Sequence, residues 1–158
     1  MPHHAERRLL PYSPQQLFDL VADIERYPEF LPWCLGARIR HRLEGERGPV
    51  LHADLIIGFR MIRERFTSRV TLDPAAGRID VAFADGPFKY LRNHWVFEPA
   101  PQPDGAVATT IDFDVDFEFR SRLLETLIQP LFTEAVRRMV AAFESRARAL
   151  YGARPAVA

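Results

Sequence analysis

Cysteine is nearly absent. Cys34 is the single thiol in 158 residues, so no internal disulfide can form and a reducing compartment suits the chain. Net charge is absent too: 21 Lys and Arg balance 21 Asp and Glu. A protein that lives on nucleic acid usually carries a basic excess, because phosphate contacts dominate its affinity. No apolar run approaches the roughly 18–20 residues of a membrane span, and Met1 to Arg8 lack the apolar stretch of a secretory signal. Five histidines supply no HExxH pattern, and neither a glycine-rich phosphate loop nor a GxSxG elbow occurs. These absences predict a cytoplasmic, non-secreted protein without a metal, nucleotide or serine-hydrolase site.

Apolar residues are plentiful, at 47% of the chain with twelve phenylalanines. That is enough for residues 1–152 to bury one core as a single domain, with 153–158 as a disordered tail. A short strand near Ala5–Leu10 precedes Ser13, a helix N-cap followed by Pro14 at the first helical position. Leu17, Phe18, Leu20, Val21 and Ile24 then recur at helical spacing. Tyr27 to Cys34, broken by Pro28 and Pro32, reads as a second short helix and a loop. From Gly36 to Phe119 the period becomes two, and turn signals such as Asp73-Pro74 and Asp85-Gly86-Pro87 divide it into about six antiparallel strands. The alternation changes parity after Leu55, Ile57 and Phe59, which demands a bulge or turn between Gly58 and Met61. Arg120 to Tyr151 reads as one long helix with an unusually broad apolar face and a kink near Leu127–Gln129 ahead of Pro130. The fold class is α+β: a curved antiparallel sheet of six to seven strands gripping a long C-terminal helix.

Few polar groups converge on a site. Asp112, Asp114, Asp116 and Glu118 share one strand face, a pattern open to acid–base chemistry, but arginines on neighbouring strands make cross-strand charge pairing the simpler account. Cys34 has no motif-borne base and reads as a buried structural thiol. Strand parity directs Leu55, Ile57, Phe59, Phe66, Phe83, Trp95, Phe113 and Phe117 inward. They either fill a core or line an apolar cavity of the kind that takes small molecules; composition does not choose between the two.

Tyr12-Ser13-Pro14, Phe18 to Asp23, Tyr27-Pro28-Glu29-Phe30-Leu31-Pro32-Trp33-Cys34, Asp85 to Leu91 with Trp95 and Phe97, and Phe117-Glu118-Phe119 together resemble the coenzyme Q-binding/RatA family. The resemblance runs from about residue 9 to 149 and implies a START-type helix-grip fold. One branch binds ubiquinone and supports respiration and quinone synthesis; the other is a toxin that blocks ribosomal subunit association; polyketide cyclases are more distant. Trp33, Ile57-Gly58-Phe59 and Phe117 to Ser121 resemble the quinone-binding branch. The resemblance therefore implies ubiquinone as bound ligand with no other cofactor required, transient contact with the inner membrane surface, and a respiratory or quinone-biosynthetic enzyme as partner. Trp95, Phe88 and Phe83 are candidate ring contacts, Asn93 a candidate donor to a quinone oxygen, and Phe30, Trp33 and Phe88 a gate at the mouth. Leu131, Ala135 and Met139 are candidate wall residues from the long helix. A ribosome binder would use Arg38, Arg40 and Arg42; a cyclase would use Glu64.

Overall fold

Local chemistry starts the first helix where the sequence places it. Ser13 Oγ accepts from the Gln16 N–H at 3.1 Å, and the Gln16 side-chain oxygen accepts from the Ser13 N–H at 3.0 Å. This reciprocal cap, with Pro14 behind it, stabilises the helix start by about 1 kcal/mol. The computed structural model describes residues 3–59 and 62–154, without the side chains of Phe59 and Ile62. The candidate wall residue Phe59 thus lies outside the described side chains. Strand β1 (His3–Leu10) leads into α1 (Pro14–Ala22), which turns Leu17, Phe18, Leu20 and Val21 inward. Ile24 does not continue that helix; it opens a 3-10 helix, Ile24–Glu29, that contains Pro28.

Six strands follow: β2 (Cys34–Glu44), β3 (Pro49–Phe59), β4 (Ile62–Asp73), β5 (Arg78–Asp85), β6 (Phe88–Pro99) and β7 (Thr109–Phe119). With β1 they form one antiparallel sheet in the order β1-β7-β6-β5-β4-β3-β2. Across the parity switch β3 and β4 pair antiparallel, Phe59 with Ile62, and each strand keeps its own alternation; residues 60 and 61, where the bulge or turn is expected, lie outside the described residues. Inside the sheet lie Leu51 and Ala53 of β3, Phe66 and Val70 of β4, Ile79 of β5, Trp95 and Phe97 of β6, and Phe113 and Phe117 of β7, all buried.

Pro130 does more than kink the last helix. It divides it into α2 (Arg122–Ile128), a 3-10 turn, Gln129–Leu131, and α3 (Phe132–Tyr151). Proline has no N–H for an i−4 bond, and its ring meets the carbonyl one turn back. The broad apolar face is therefore two faces. Helix α3 buries one stripe, Phe132, Val136, Val140, Phe143 and Ala147, whereas α2 buries nothing and leaves Leu123 and Leu127 exposed. The end of α3 is tied to α1: Tyr151 donates to the Gln16 carbonyl at 2.9 Å, and Tyr12 donates to the Gly152 carbonyl at 2.8 Å. Arg154 donates to the Pro11 carbonyl at 3.0 Å, and residues 155–158 lie outside the described residues.

Candidate functional site

Between the inner face of the sheet and α3 the side chains do not meet everywhere. They leave a cavity of about 150 Å³. Its floor is the sheet: Leu55 and Ile57 of β3, Phe66, Ser68 and Val70 of β4, Ile79 and Val81 of β5, Leu91, Asn93 and Trp95 of β6, and Phe113 and Val115 of β7. Its roof is Met139 and Phe143 of α3, with Val21 of α1, Ile24, Tyr27, Leu31 and Trp33 from the segment between α1 and β2, and Cys34 at the start of β2.

Among the sequence candidates, Trp33, Leu55, Ile57, Phe66, Asn93, Trp95, Phe113 and Met139 are on this wall. Phe30, Phe83, Phe88, Phe117, Leu131 and Ala135 are not. Phe88, expected at the mouth and on the ligand ring, is 6% exposed and stacks on Phe119 at 4.8 Å. It also meets Phe66 at 5.2 Å, Phe83 at 5.7 Å and Phe117 at 5.6 Å edge-on, so Phe83, Phe88 and Phe117 fill their end of the sheet instead of lining a space. Phe117 is covered by Phe132 of α3 at 5.1 Å. Phe30 packs behind the roof, edge-on to Phe143 at 5.2 Å and beneath the Arg146 guanidinium at 5.2 Å. Leu131 belongs to the 3-10 turn at the proline break, and the single carbon of Ala135 does not reach the cavity. Continued strand parity would have found Ser68, Val70, Ile79 and Val115. Ile24 belongs to the helical spacing of the first segment, but nothing periodic marks Tyr27, Leu31 and Cys34, which run from the 3-10 helix to the first residue of β2.

The cavity wall has no Asp, Glu, Lys, Arg or His among its described residues. Its two ionisable groups are both pushed toward their neutral forms. Burial raises the Cys34 thiol above its ordinary pKa, and burial, with the neighbouring Cys34 and Asp23, raises Tyr27 further. The Tyr27 hydroxyl donates to the Val21 carbonyl. Polar function is concentrated in one pair. Trp95 Nε1–H donates to Asn93 Oδ1 at 2.9 Å, and Asn93 Nδ2 donates to the Asp114 carbonyl at 2.7 Å. Together these bonds set which way the Asn93 amide faces and leave its second N–H without a partner among the described residues. Ser68 adds a hydroxyl, and Trp33 Nε1, buried, has no hydrogen-bond partner among the described residues. Glu64 pairs with Ile57 on the inner face but is not part of the wall. No three His, Cys, Asp or Glu side chains converge as a metal site among the described residues.

Charge is arranged on the opposite face of the sheet. Arg7 forks onto Asp112 at 2.7 Å, Tyr90 donates to Asp116 at 3.2 Å, and His94 Nδ1 lies 2.6 Å from Asp80. The acidic row of β7 is thus part of a cross-strand lattice. On β2 to β4 the balance is reversed: Arg38, Arg40, Arg63, Arg65 and Arg69 outnumber the buried carboxylate Asp54, which Arg65 meets at 2.8 Å and Arg40 at 3.6 Å. Arg42 leaves this group, because a bulge between Ile39 and His41 sets it opposite Leu51, on the inner-face parity.

Residues 10–144 match the family described as polyketide cyclase/dehydrase and lipid transport. The chain belongs to that family. Two curated members are similar over nearly all of it. The ribosome association toxin RatA of Pseudomonas aeruginosa is 39% identical over 153 residues, 96% of this chain and 100% of that protein. The mitochondrial coenzyme Q-binding protein COQ10 homolog B of Xenopus laevis is 36% identical over 152 residues, 94% of this chain and 59% of that one. The sequence likeness therefore reaches both branches, and identity does not separate them. A START superfamily protein from Mycobacterium smegmatis superposes with a TM-score of 0.77 at 21% identity, over 94% of this chain and 98% of that one, which establishes the shared fold. No described helix of this family member is long and apolar enough to cross a membrane.

Proposed function

We propose that the chain binds an isoprenoid quinone of the ubiquinone class in the cavity between sheet and α3. The observation that carries this reading is a wall without charge, with one oriented amide beside an indole. A neutral ring with carbonyl oxygens suits it. The ring packs against Trp95 and Phe113, the unpartnered Asn93 N–H donates to one carbonyl, and the tail needs only apolar surface. The coenzyme Q-binding relative supports the same reading.

Affinity has to come from the ring. Burying a CH₂ is worth about 0.8 kcal/mol against water, but the competing solvent for a quinone tail is a bilayer as apolar as the wall. Shape, stacking and hydrogen bonds at the head supply the difference. Loading of this kind takes place in a transient contact with the cytoplasmic membrane surface, and unloading takes place on a respiratory or quinone-biosynthetic enzyme. The test is an organic extraction of protein purified without detergent, with the lipids identified by mass spectrometry. Isoprenoid quinone in the wild type and its loss in folded Trp95→Ala is the expected result. An empty extract, together with no quenching of tryptophan fluorescence by added ubiquinone, would overturn the reading.

A second reading, ribosome association, is favoured by the RatA relative and by the arginines on the outer face of β2 to β4. It uses the face opposite the cavity, so one chain can hold both activities. Co-sedimentation with ribosomal subunits should fall steeply with salt and vanish in Arg38→Glu/Arg63→Glu/Arg69→Glu. Co-sedimentation that ignores both changes would rule this face out. A cyclase would need a proton-accepting side chain on the wall, and Glu64 is not there.

A further inference from the structure

Helix α2 is firmly capped, yet it turns two leucines into solvent. Ser121 Oγ accepts from the Leu124 N–H at 3.3 Å, and the Glu125 carboxylate accepts from the Phe119 N–H at 3.0 Å. Leu124 and Ile128 pack half-buried against the core, which fixes how the helix is rotated. Leu123 and Leu127 then share the outer face one turn apart, 68% and 45% exposed. Leu123 is the most exposed large apolar side chain among the described residues. A single exposed leucine is ordinary; two on one face of a capped helix form a patch.

The free charge beside this patch is of one sign. Arg120 and Arg122 are exposed; Arg120 Nε donates to the Phe88 carbonyl at 3.0 Å, and Arg122 forms no ion pair with any described residue. The carboxylates of the same segment are engaged. Glu118 faces Lys89 at 3.9 Å, Glu125 is turned to the Phe119 N–H, and Glu134 pairs with Arg138 at 2.9 Å. Two leucines beside two unneutralised cations match a surface that is anionic outside and apolar just beneath. A protein partner fits less well: seven residues of helix span about 10 Å, and one face of them is far smaller than the roughly 800 Å² a stable interface takes from each side.

We propose that α2 docks on an anionic phospholipid bilayer, with Leu123 and Leu127 in the headgroup–acyl boundary and Arg120 and Arg122 on lipid phosphates. The break at Pro130 gives α2 an orientation of its own, and α3, which supplies Met139 and Phe143 to the cavity roof, follows directly. Docking through α2 thus sets the roof element beside the membrane that holds an isoprenoid ligand. That purpose rests on the quinone reading, whereas the docking itself is tested without quinone.

The experiment is flotation with quinone-free vesicles of phosphatidylcholine, with and without phosphatidylglycerol. At low salt wild type should bind the anionic vesicles about 20-fold more tightly than the neutral ones, about fivefold for each cation. Leu123→Ser/Leu127→Ser should lose about tenfold on the anionic vesicles, and Arg122→Gln about fivefold. Leu43→Ser, at a leucine 57% exposed near the far end of β2, should bind as wild type does. All four positions are exposed, so each variant should keep the wild-type Tm. Failure of wild type to float with anionic vesicles would overturn the docking, as would α2 variants that float as well as Leu43→Ser does. A concentration-dependent dimer that the leucine pair abolishes, without flotation, would assign the face to a second copy and overturn it too. None of these results touches the quinone extraction, so the two readings fail separately.

Discussion

Asn93→Leu should cost far more than the loss of one surface hydrogen bond, and the cost should disappear in company with Trp95→Phe. The indole N–H of Trp95, on a side chain 6% exposed, has Asn93 Oδ1 at 2.9 Å as its acceptor. Leucine at 93 leaves that N–H buried and unpartnered, a penalty of about 1–3 kcal/mol. Trp95→Phe strands Asn93 Oδ1 in the same way and adds the loss of indole packing. The double variant removes donor and acceptor together, so it should be more stable than the sum of the singles by about 1–2 kcal/mol. Urea unfolding reads this directly. With a slope of roughly 1–3 kcal/mol per molar, Asn93→Leu should move the midpoint down by about 1 M at an unchanged slope. Additivity of the two singles within about 0.5 kcal/mol would mean that the pair is not coupled, and that the Asn93 amide is not held in the orientation on which the quinone reading relies.

Three further expectations concern other parts of the fold. Native Cys34 should react with a thiol reagent at neutral pH far more slowly than after denaturation, since burial both shields the thiol and raises its pKa; equal rates would refute this. Burial alone would raise Asp54, but hydrogen bonds from Thr67 and Arg65 and the charges of Arg40 and Arg65 outweigh it and hold its carboxyl below the ordinary range. Its folded pKa lies below the unfolded one, so the stability it adds is present above the unfolded carboxylate pKa and is lost as pH falls through the folded value; Asp54→Asn should flatten the acid limb of a melting-temperature profile, and an unchanged limb would refute it. Gly86→Ala should destabilise by about 1–3 kcal/mol, because φ is +139° at this turn and a Cβ would stand 2.6 Å from Phe66 Cβ; a wild-type thermal midpoint would contradict the geometry.

Much of the architecture is written in local chemistry. Ser13, Pro14 and Gln16 specify a helix start regardless of what the helix packs against. Alternation along β3, β4, β6 and β7 tells which side chains share a face, and for Leu55, Ile57, Phe66, Trp95 and Phe113 that face is the cavity wall. Parity could not tell which part of the face is filled. Phe83 and Phe117 have the same alternation as the wall residues, and a bulge between Phe88 and Tyr90 turns Phe88 onto the same face, yet all three close on one another and on Phe119 and Phe132. A bulge moved Arg42 off the arginine face for a similar reason: a single extra residue inverts parity, and nothing in Arg40-His41-Arg42 announces it.

From the sequence alone follow the α+β class, the meander, a kink ahead of Pro130 and the neutral, thiol-poor character of the chain, because each depends on residues close together along it. Tertiary structure decided where the interior stays hollow and how Asn93 is oriented within it. Those are outcomes of segments meeting from opposite ends of the chain. The roof brings Tyr27 and Phe143 into edge contact at 5.5 Å, and Arg8 of β1 pairs with Glu144 of α3. Periodicity carries no record of such distances, since the same alternating strand can face a packed core or an open chamber.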